Sequence, residues 1–312
     1  MSLPPDYRVA VLIPCLNEAA AIPDVIRDFR RALPSADILV FDNGSTDDTA
    51  AIAKTAGASV RNVSLRGKGN VIRRMFADIE ADVYVLVDGD GTYDAGAAPA
   101  MIAALVDEGL DMVVGTRVSD EQSAYRAGHR FGNALLTRCV AAVFGRTFTD
   151  MLSGFRVFSR RYVKSFPAHA SGFETETELT VHALELRMPV CEVATLYRSR
   201  AEGSASKLNT WRDGWRILVT IVKLVKTEKP LAFFSSGFAI CAIASLLLAE
   251  PLITTWLSTG LVPRLPTAVL CVALMLFGAI LLACGIVLDT VSLGRAENKR
   301  LAYLAIPGPR RP

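Results

Sequence analysis

The 312-residue sequence predicts an α/β fold: a mostly parallel sheet with helices between its strands, then an amphipathic helix and two membrane-spanning helices. Three observations predict it. Short apolar segments rich in Val and Ile alternate with helix-period segments from Arg8 to Gly115. Several of these strands stop at acidic, glycine-containing turns, and open α/β sheets bind ligands beyond the carboxyl ends of their strands. The last third carries two apolar runs, Leu231 to Ala249 and Thr267 to Leu288, each of the ~20 residues that the ~30 Å hydrocarbon core requires.

The elements follow in order. Arg8 to Pro14 reads as a strand stopped by Pro14, with Leu16-Asn17-Glu18 after it and a helix from Ala19 to Leu33. Ile38 to Phe41 is a second strand, ending at Asp42-Asn43-Gly44-Ser45-Thr46-Asp47-Asp48. Ser45 with Asp48 three residues on resembles a capping box, so Asp47 and Asp48 read as helix-start acids, whereas Asp42 faces the crevice. A helix to Ala56 and a strand from Ser59 to Val63 come next. Arg66-Gly67-Lys68-Gly69-Asn70 then opens a helix; it lacks the Walker spacing and is either an anion contact or a plain turn.

Val83 to Val87 is an apolar strand ending in Asp88-Gly89-Asp90. Side chains alternate along a strand, so Asp88 and Asp90 can point the same way. Two carboxylates there repel unless a cation sits between them, and Mg²⁺ or Mn²⁺ takes such oxygen ligands. A polar turn is the alternative. A helix over Pro99 to Val106 and a strand from Met112 to Gly115 follow, the latter leading into Thr116-Arg117. Of the arginines from Arg117 to Arg156, most read as solvated charges; Arg117 stands out because it follows a strand end. Phe173 to Leu186 reads as an amphipathic helix and Val190 to Leu196 as a strand. Glu174 and Glu176 are dipole-favoured helix-start acids, or, for Glu176, a sugar contact.

Composition excludes several classes. A net charge of +3 is too small to argue for nucleic acid. Six cysteines form no C-x-x-C pair, which points to free thiols in a reducing compartment. Three histidines, none at metal-ligand spacing, argue against zinc. Near the end, Leu208 to Thr227 repeats Trp211, Trp215, Leu218, Val222 and Val225 at three and four, among Arg212, Arg216, Lys223 and Lys226. That pattern suits an interfacial helix on an anionic leaflet. Lys223, Lys226 and Lys229 precede the first apolar run, and Arg295, Lys299 and Arg300 follow the second. The positive-inside rule then makes the chain a two-span membrane protein with both termini and the preceding domain in the cytoplasm. The tail from Leu301, with Pro307, Pro309 and Pro312, is expected to be disordered.

Ile13-Pro14-Cys15-Leu16-Asn17-Glu18, the Asp42 to Asp47 turn and Asp88-Gly89-Asp90, in this order at strand ends, resemble the family-2 glycosyltransferases, whose catalytic domain is a Rossmann-like fold called GT-A. Asp150-Met151-Leu152-Ser153-Gly154-Phe155-Arg156, Gly172-Phe173-Glu174-Thr175-Glu176 and the Arg200 to Leu208 stretch look like the polyprenyl-phosphate branch, relatives of dolichol-phosphate mannose synthase. The resemblance covers roughly residues 8 to 229. It implies that Pro14, Leu16, Asn17, Glu18, Asp42, Ser45, Lys68 and Asp88 line the nucleotide pocket. It implies that Asp88 and Asp90 hold Mg²⁺ or Mn²⁺, and that they act in catalysis with Arg117 and Arg130. Arg117, Arg130, Arg200, Ser204 and Lys207 would meet the acceptor phosphate, and Asp150 and Glu176 the sugar. Thr92 falls where relatives carry a further metal-side polar residue. Asn43 replaces an Asp often present, with little consequence expected. The processive synthases carry Gln-x-x-Arg-Trp; Gln122 is the one glutamine here, which argues against chain elongation.

The expected layout is therefore a GT-A domain over 1–206, a juxtamembrane helix over 207–229, a transmembrane hairpin over 230–291 and a cytoplasmic tail over 292–312. The expected reaction is inverting transfer of one sugar from a nucleotide diphosphate sugar to polyprenyl (undecaprenyl) phosphate, with a UDP-sugar favoured and GDP-mannose allowed. A phosphomonoester with a second pKa near ~6 is already largely dianionic at neutral pH, so it needs positioning more than deprotonation. Relatives of this branch form oligomers, so a homo-oligomer is expected. Two rivals are a glycolipid synthase using a lipid hydroxyl, with Asp150 as base, and a non-catalytic membrane adaptor.

Overall fold

The first strand is β1, Val9–Cys15, which is apolar along most of its length and lies inside the sheet between β2 and β4. In the computed structural model, which describes residues 7–118, 138, 140–141, 144–145, 148–168, 174–198, 210–262 and 264–309, seven strands form one sheet in the order β3-β2-β1-β4-β6-β5-β7. The others are β2 (Asp37–Asp42), β3 (Ser59–Asn62), β4 (Val83–Leu86), β5 (Met112–Val118), β6 (Arg156–Ser159) and β7 (Val190–Leu196). All pairs are parallel except those of β6, which runs antiparallel to both β4 and β5. The mostly parallel sheet is thus as expected. β6 was not anticipated, because its four residues follow a loop with no apolar run to mark them.

Period-two alternation sends each strand's side chains to two faces. On one, Val9, Val11, Ile13 and Cys15 pack with Ile22, Val25, Ile26 and Phe29 of α1 (Ile22–Ala32) and with Met101 and Leu105 of α4 (Ala98–Asp107). On the other, Phe76 of α3 (Lys68–Asp78) meets Tyr84, Phe158 and Phe166 edge to face. α2 spans Thr49–Thr55. α1 begins three residues later than expected, at Ile22, because Glu18 C=O accepts the amides of Ala21 and Ile22 in a turn beforehand.

The chain forms two compact units: residues 1–217 with 298–312, and residues 218–297. In the first, α5 (Arg160–Ser165) and α6 (Thr175–Glu185) complete the sheet's cover. Its last segment is the end of α9 (Leu265–Leu304). Tyr303 OH donates to Asp111 Oδ2 (2.8 Å), and Lys299 Nζ donates to Glu185 Oε2 (2.5 Å). Asp111 is fully buried and also accepts from Arg161 and Ser159. The expectation of disorder from Leu301 is therefore corrected: these partners hold the helix end through Tyr303.

Beside Lys299, the ring of His182 sits edge-on to Tyr162 and Phe166, with Nε2 3.1 Å from Ser165 Oγ. Burial, helped by the Lys299 charge, pushes its pKa down to about 3. The unfolded chain protonates this histidine below about pH 6.5, while the folded chain resists it. Stability from this group is thus complete above that pH and is lost as pH falls toward 3, by up to ~1.4 kcal/mol per pH unit. The unfolding temperature of the solubilised protein should fall below pH 6.5, and His182→Gln should flatten that part of the profile. An unchanged slope would assign the acid sensitivity elsewhere.

The second unit holds α8 (Pro230–Thr259) and most of α9, and α7 (Thr210–Glu228) leads into it. At 30 and 40 residues, α8 and α9 are long and apolar enough to cross a membrane. Both exceed the runs expected from sequence, since helix geometry continues past the apolar stretch. Ser245 Oγ donates to Cys271 C=O (2.9 Å), and Gly278 and Gly285 lie against Phe238 and Phe234. Small residues that let helices approach are what an apolar bilayer favours. Side chains such as Ile240, Leu247, Leu276 and Val287 face outward.

Candidate active site

The carboxyl ends of the parallel neighbours β2, β1 and β4 lie side by side, and the loops after β1 and β2 are laced together there. Asp42, at the end of β2, accepts the amides of Gly44 (3.2 Å) and Ser45 (3.1 Å) and the Ser45 hydroxyl. Ser45 Oγ accepts the Asn17 amide (2.9 Å), and Asn17 Oδ1 accepts the Thr46 amide (2.8 Å). Asn17 takes φ 55°, a left-handed geometry that asparagine tolerates better than most. Ser45 is therefore no helix cap. The N-cap position of α2 is Asp48, and the preceding Asp47 accepts the Thr49 amide and, from the other loop, the Ala19 amide. Pro14 and Leu16 lie half-buried beside these loops.

Asn43 is buried, and its side chain sets the turn before α3. Nδ2 donates to Val63 C=O (3.1 Å) and Leu65 C=O (2.8 Å), while Oδ1 accepts the Gly67 amide (2.7 Å). A carboxylate could not donate either of the first two bonds. The substitution expected to be inconsequential thus shapes this loop. Gly67, at φ 121°, needs the freedom only glycine has. The turn delivers Lys68 as the first residue of α3.

Lys68 Nζ lies 2.5 Å from Asp88 Oδ1 and 2.6 Å from Glu176 Oε1. Burial alone would lower its pKa; the two carboxylates outweigh that and hold it above the usual value, so the ammonium stays charged. Glu176 comes from the first turn of α6, is buried, and leaves Oε2 without a hydrogen-bond partner among the described residues. Glu176 is thus a helix-start acid, as one of the two readings had it, and a buried one.

The alternation argument for Asp88 and Asp90 does not hold, because β4 stops at Leu86 and both lie in the following turn. Asp88 meets Lys68, whereas Asp90 is buried and accepts the Thr92 amide (3.2 Å) and hydroxyl (2.7 Å). Yet the acids do converge. The Cys15 thiol is pushed well up, first by burial and then by the charges of Glu18, Asp42, Asp88 and Asp90. Gly154 approaches so closely that a Cβ there would stand 2.2 Å from Asp88 Oδ2. The Gly154 amide donates to Tyr93 OH (2.8 Å).

Arg117, at the end of β5, forms a two-pronged pair with Asp150: Nε to Oδ2 and Nη2 to Oδ1, each 2.7 Å. Its guanidinium lies 5.5 Å from the Tyr197 ring, which packs on Tyr93. Burial would raise the Asp150 pKa, but Arg117 more than offsets it and holds the carboxyl below its ordinary range. A carboxylate so held is a poor proton acceptor, which weakens the hydroxyl-acceptor rival. Arg156 is fully buried, not solvated as expected of that arginine-rich segment. Arg130, Arg200, Ser204 and Lys207 lie outside the described residues. Sequence reasoning missed Tyr93 and Tyr197, since a lone tyrosine beside a motif carries no spacing signal.

The profile of Glycosyl transferase family 2 matches residues 10–166. The chain is a family-2 glycosyltransferase. This glycosyltransferase is 37% identical over 306 residues to "Glycosyltransferase AglJ" of Haloferax volcanii, covering 97% of this chain and 100% of that one. It is 27% identical over 221 residues to a dolichyl-phosphate hexose transferase of the same organism, covering 71% and 95%. Among solved structures it is similar to glucosyl-3-phosphoglycerate synthase from Mycobacterium tuberculosis in complex with Mn²⁺, uridine diphosphate and glucosyl-3-phosphoglycerate, with TM-score 0.56, 25% identity and coverage of 71% and 80%. The catalytic fold of this glycosyltransferase is accordingly GT-A, followed by two helices able to cross a membrane.

Proposed function

We propose that this glycosyltransferase moves one sugar, with inversion, from a nucleotide diphosphate sugar to polyprenyl phosphate, and that a UDP-sugar is the donor. The observation that carries the reading is the juxtaposition around Tyr93, whose hydroxyl accepts the amide of Gly154, the residue packed against Asp88, and whose ring meets that of Tyr197, the partner of the Arg117 guanidinium. A crevice with acids on one side and a fixed guanidinium on the other suits a metal-bound diphosphate leaving from one end and an anionic acceptor arriving at the other. The similarity to a dolichyl-phosphate hexose transferase supports the lipid acceptor. UDP in the similar synthase supports the donor.

The donor set fits Mg²⁺ or Mn²⁺: Asp88 and Asp90 offer hard carboxylate oxygens, and Gly154 leaves no side chain beside Asp88. A divalent ion there would supply charge for the departing diphosphate. The chain's own residues do the rest. Asp42, Asn17, Glu18, Ser45, Pro14 and Leu16 frame the nucleotide, and Lys68 adds positive charge for the diphosphate. Glu176 and Asp150 face the sugar, Asp150 also fixing the plane of Arg117. Arg117, with Arg130, Arg200, Ser204 and Lys207, receives the acceptor phosphate by charge-assisted bonds. With a dianionic nucleophile, no base is needed.

Incubating the membrane-embedded protein with a panel of sugar nucleotides and undecaprenyl phosphate should give one lipid product that mild acid cleaves. An acid-stable glycoside would replace the reading with that of a glycolipid synthase.

We also propose that α8 and α9 both span, with the catalytic domain and both termini cytoplasmic. The basic flanks support it, as does the seating of Lys299 and Tyr303 on the catalytic unit, which needs the end of α9 on that unit's side. Reporters fused after Lys229 and after Lys299 should both read cytoplasm, and one near Thr259 the opposite side. One compartment for all three would mean that neither helix spans.

A further inference from the structure

Lys68 holds two acids at once. Its ammonium touches Asp88 and Glu176, and its third N–H has no partner among the described residues. The position is built: Asn43 pins the turn that carries Lys68, and the lysine side chain is only 14% exposed. Glu176 is buried with one oxygen on Lys68 and the other unpartnered among the described residues, so it gains nothing by letting the ammonium go. Asp88, more exposed than Glu176, is the end of the bridge that can exchange.

Resting on the reading of Asp88 and Asp90 as ligands of a divalent cation, we propose that Lys68 is a counter-ion latch on Asp88. An ammonium and a divalent cation on one carboxylate oxygen repel each other, so Lys68 competes for the site. A diphosphate offers Lys68 a richer anion within reach of its third N–H, while Glu176 keeps the lysine nearby as a pivot. Drawing Lys68 from Asp88 to the diphosphate clears the carboxylate. The cation therefore enters with the nucleotide and not before it, and the bare enzyme does not hold an open, loaded metal site.

The test measures Mn²⁺ binding by electron paramagnetic resonance on the full chain in nanodiscs, with and without UDP, for wild type, Lys68→Gln and Lys68→Arg. Gln can still hydrogen-bond to both acids, which favours a folded variant, and Arg keeps the charge. Wild type and Lys68→Arg should bind Mn²⁺ weakly alone and about tenfold or more tightly with UDP, within the usual range of coupling between sites. Lys68→Gln should bind Mn²⁺ tightly without UDP and show most of that coupling lost. Equal Mn²⁺ affinity of wild type and Lys68→Gln in the absence of UDP overturns the latch and leaves the metal site standing. Should Lys68→Gln not fold, equally tight Mn²⁺ binding by wild type with and without UDP overturns it as well. No Mn²⁺ uptake by any of the three proteins, with UDP present, overturns the assignment of Asp88 and Asp90 itself.

Discussion

Asp88→Ala and Asp90→Asn should each abolish nearly all sugar transfer while the protein still folds and inserts. The two act by different routes. Asp88 is partly exposed, and its loss removes one carboxylate of the proposed cation site and one partner of Lys68. Asp90 is buried and tied to Thr92, so the amide variant keeps the shape of the turn but not the charge. Metal stabilisation of a developing charge is worth several kcal/mol, so the loss in turnover should reach about 10²–10³-fold or more at ~1.4 kcal/mol per decade. Radiolabel transfer at saturating Mn²⁺ measures it, with circular dichroism as the control for folding. Both variants within a few-fold of wild type would remove the carboxylates from the mechanism.

Arg156→Ala should be the most damaging substitution for stability. The guanidinium is wholly enclosed; Nε donates to Ser153 C=O (3.0 Å), Nη2 to Met151 C=O (2.6 Å) and Nη1 to Thr180 Oγ1 (2.9 Å). Burial lowers its pKa, yet an arginine so placed stays charged. Truncation would open a cavity and strand two carbonyls, each costing ~1–3 kcal/mol when buried without a donor. A total of about 3–5 kcal/mol should lower the unfolding temperature by roughly 10 °C in a domain of this size. Because Met151 and Ser153 lie between Asp150 and Gly154, activity should fall even below that transition. Arg156→Lys should recover little, since one ammonium cannot reach three acceptors in a plane. An unfolding temperature within 2 °C of wild type, on the order of measurement scatter for a surface change, would show that water or neighbours replace these bonds.

Much of the fold was legible because its signals are local. The strand–helix alternation, the acidic strand ends and the two apolar helices follow from patterning within a few residues. Asp42, Asp88 and Asp90 stood out for the same reason: Asp42 ends β2, and Asp88 and Asp90 lie in the turn that follows β4. What stayed hidden depends on residues distant in sequence. Nothing local to Glu176 says that Lys68, on another helix, will reach it. The Asp150–Arg117 pair joins a loop to a strand 33 residues earlier, so two positions expected to serve sugar and phosphate separately act together. Ser45 fitted a cap by spacing, but tertiary bonds to Asn17 and Asp42 claimed its hydroxyl first. Arg156 misled for the opposite reason. Arginine is seldom buried, and only the ring of acceptors around it permits the exception.

The seating of Tyr303 on Asp111 constrains how the protein can be made. Asp111 leaves the ribosome long before its last partner, and between the two lie both apolar helices. With both helices spanning as proposed, the nascent sheet waits, with one buried carboxylate short of a donor, until the hairpin has crossed the bilayer and the chain has come back. Insertion and completion of the catalytic fold are thereby placed in sequence.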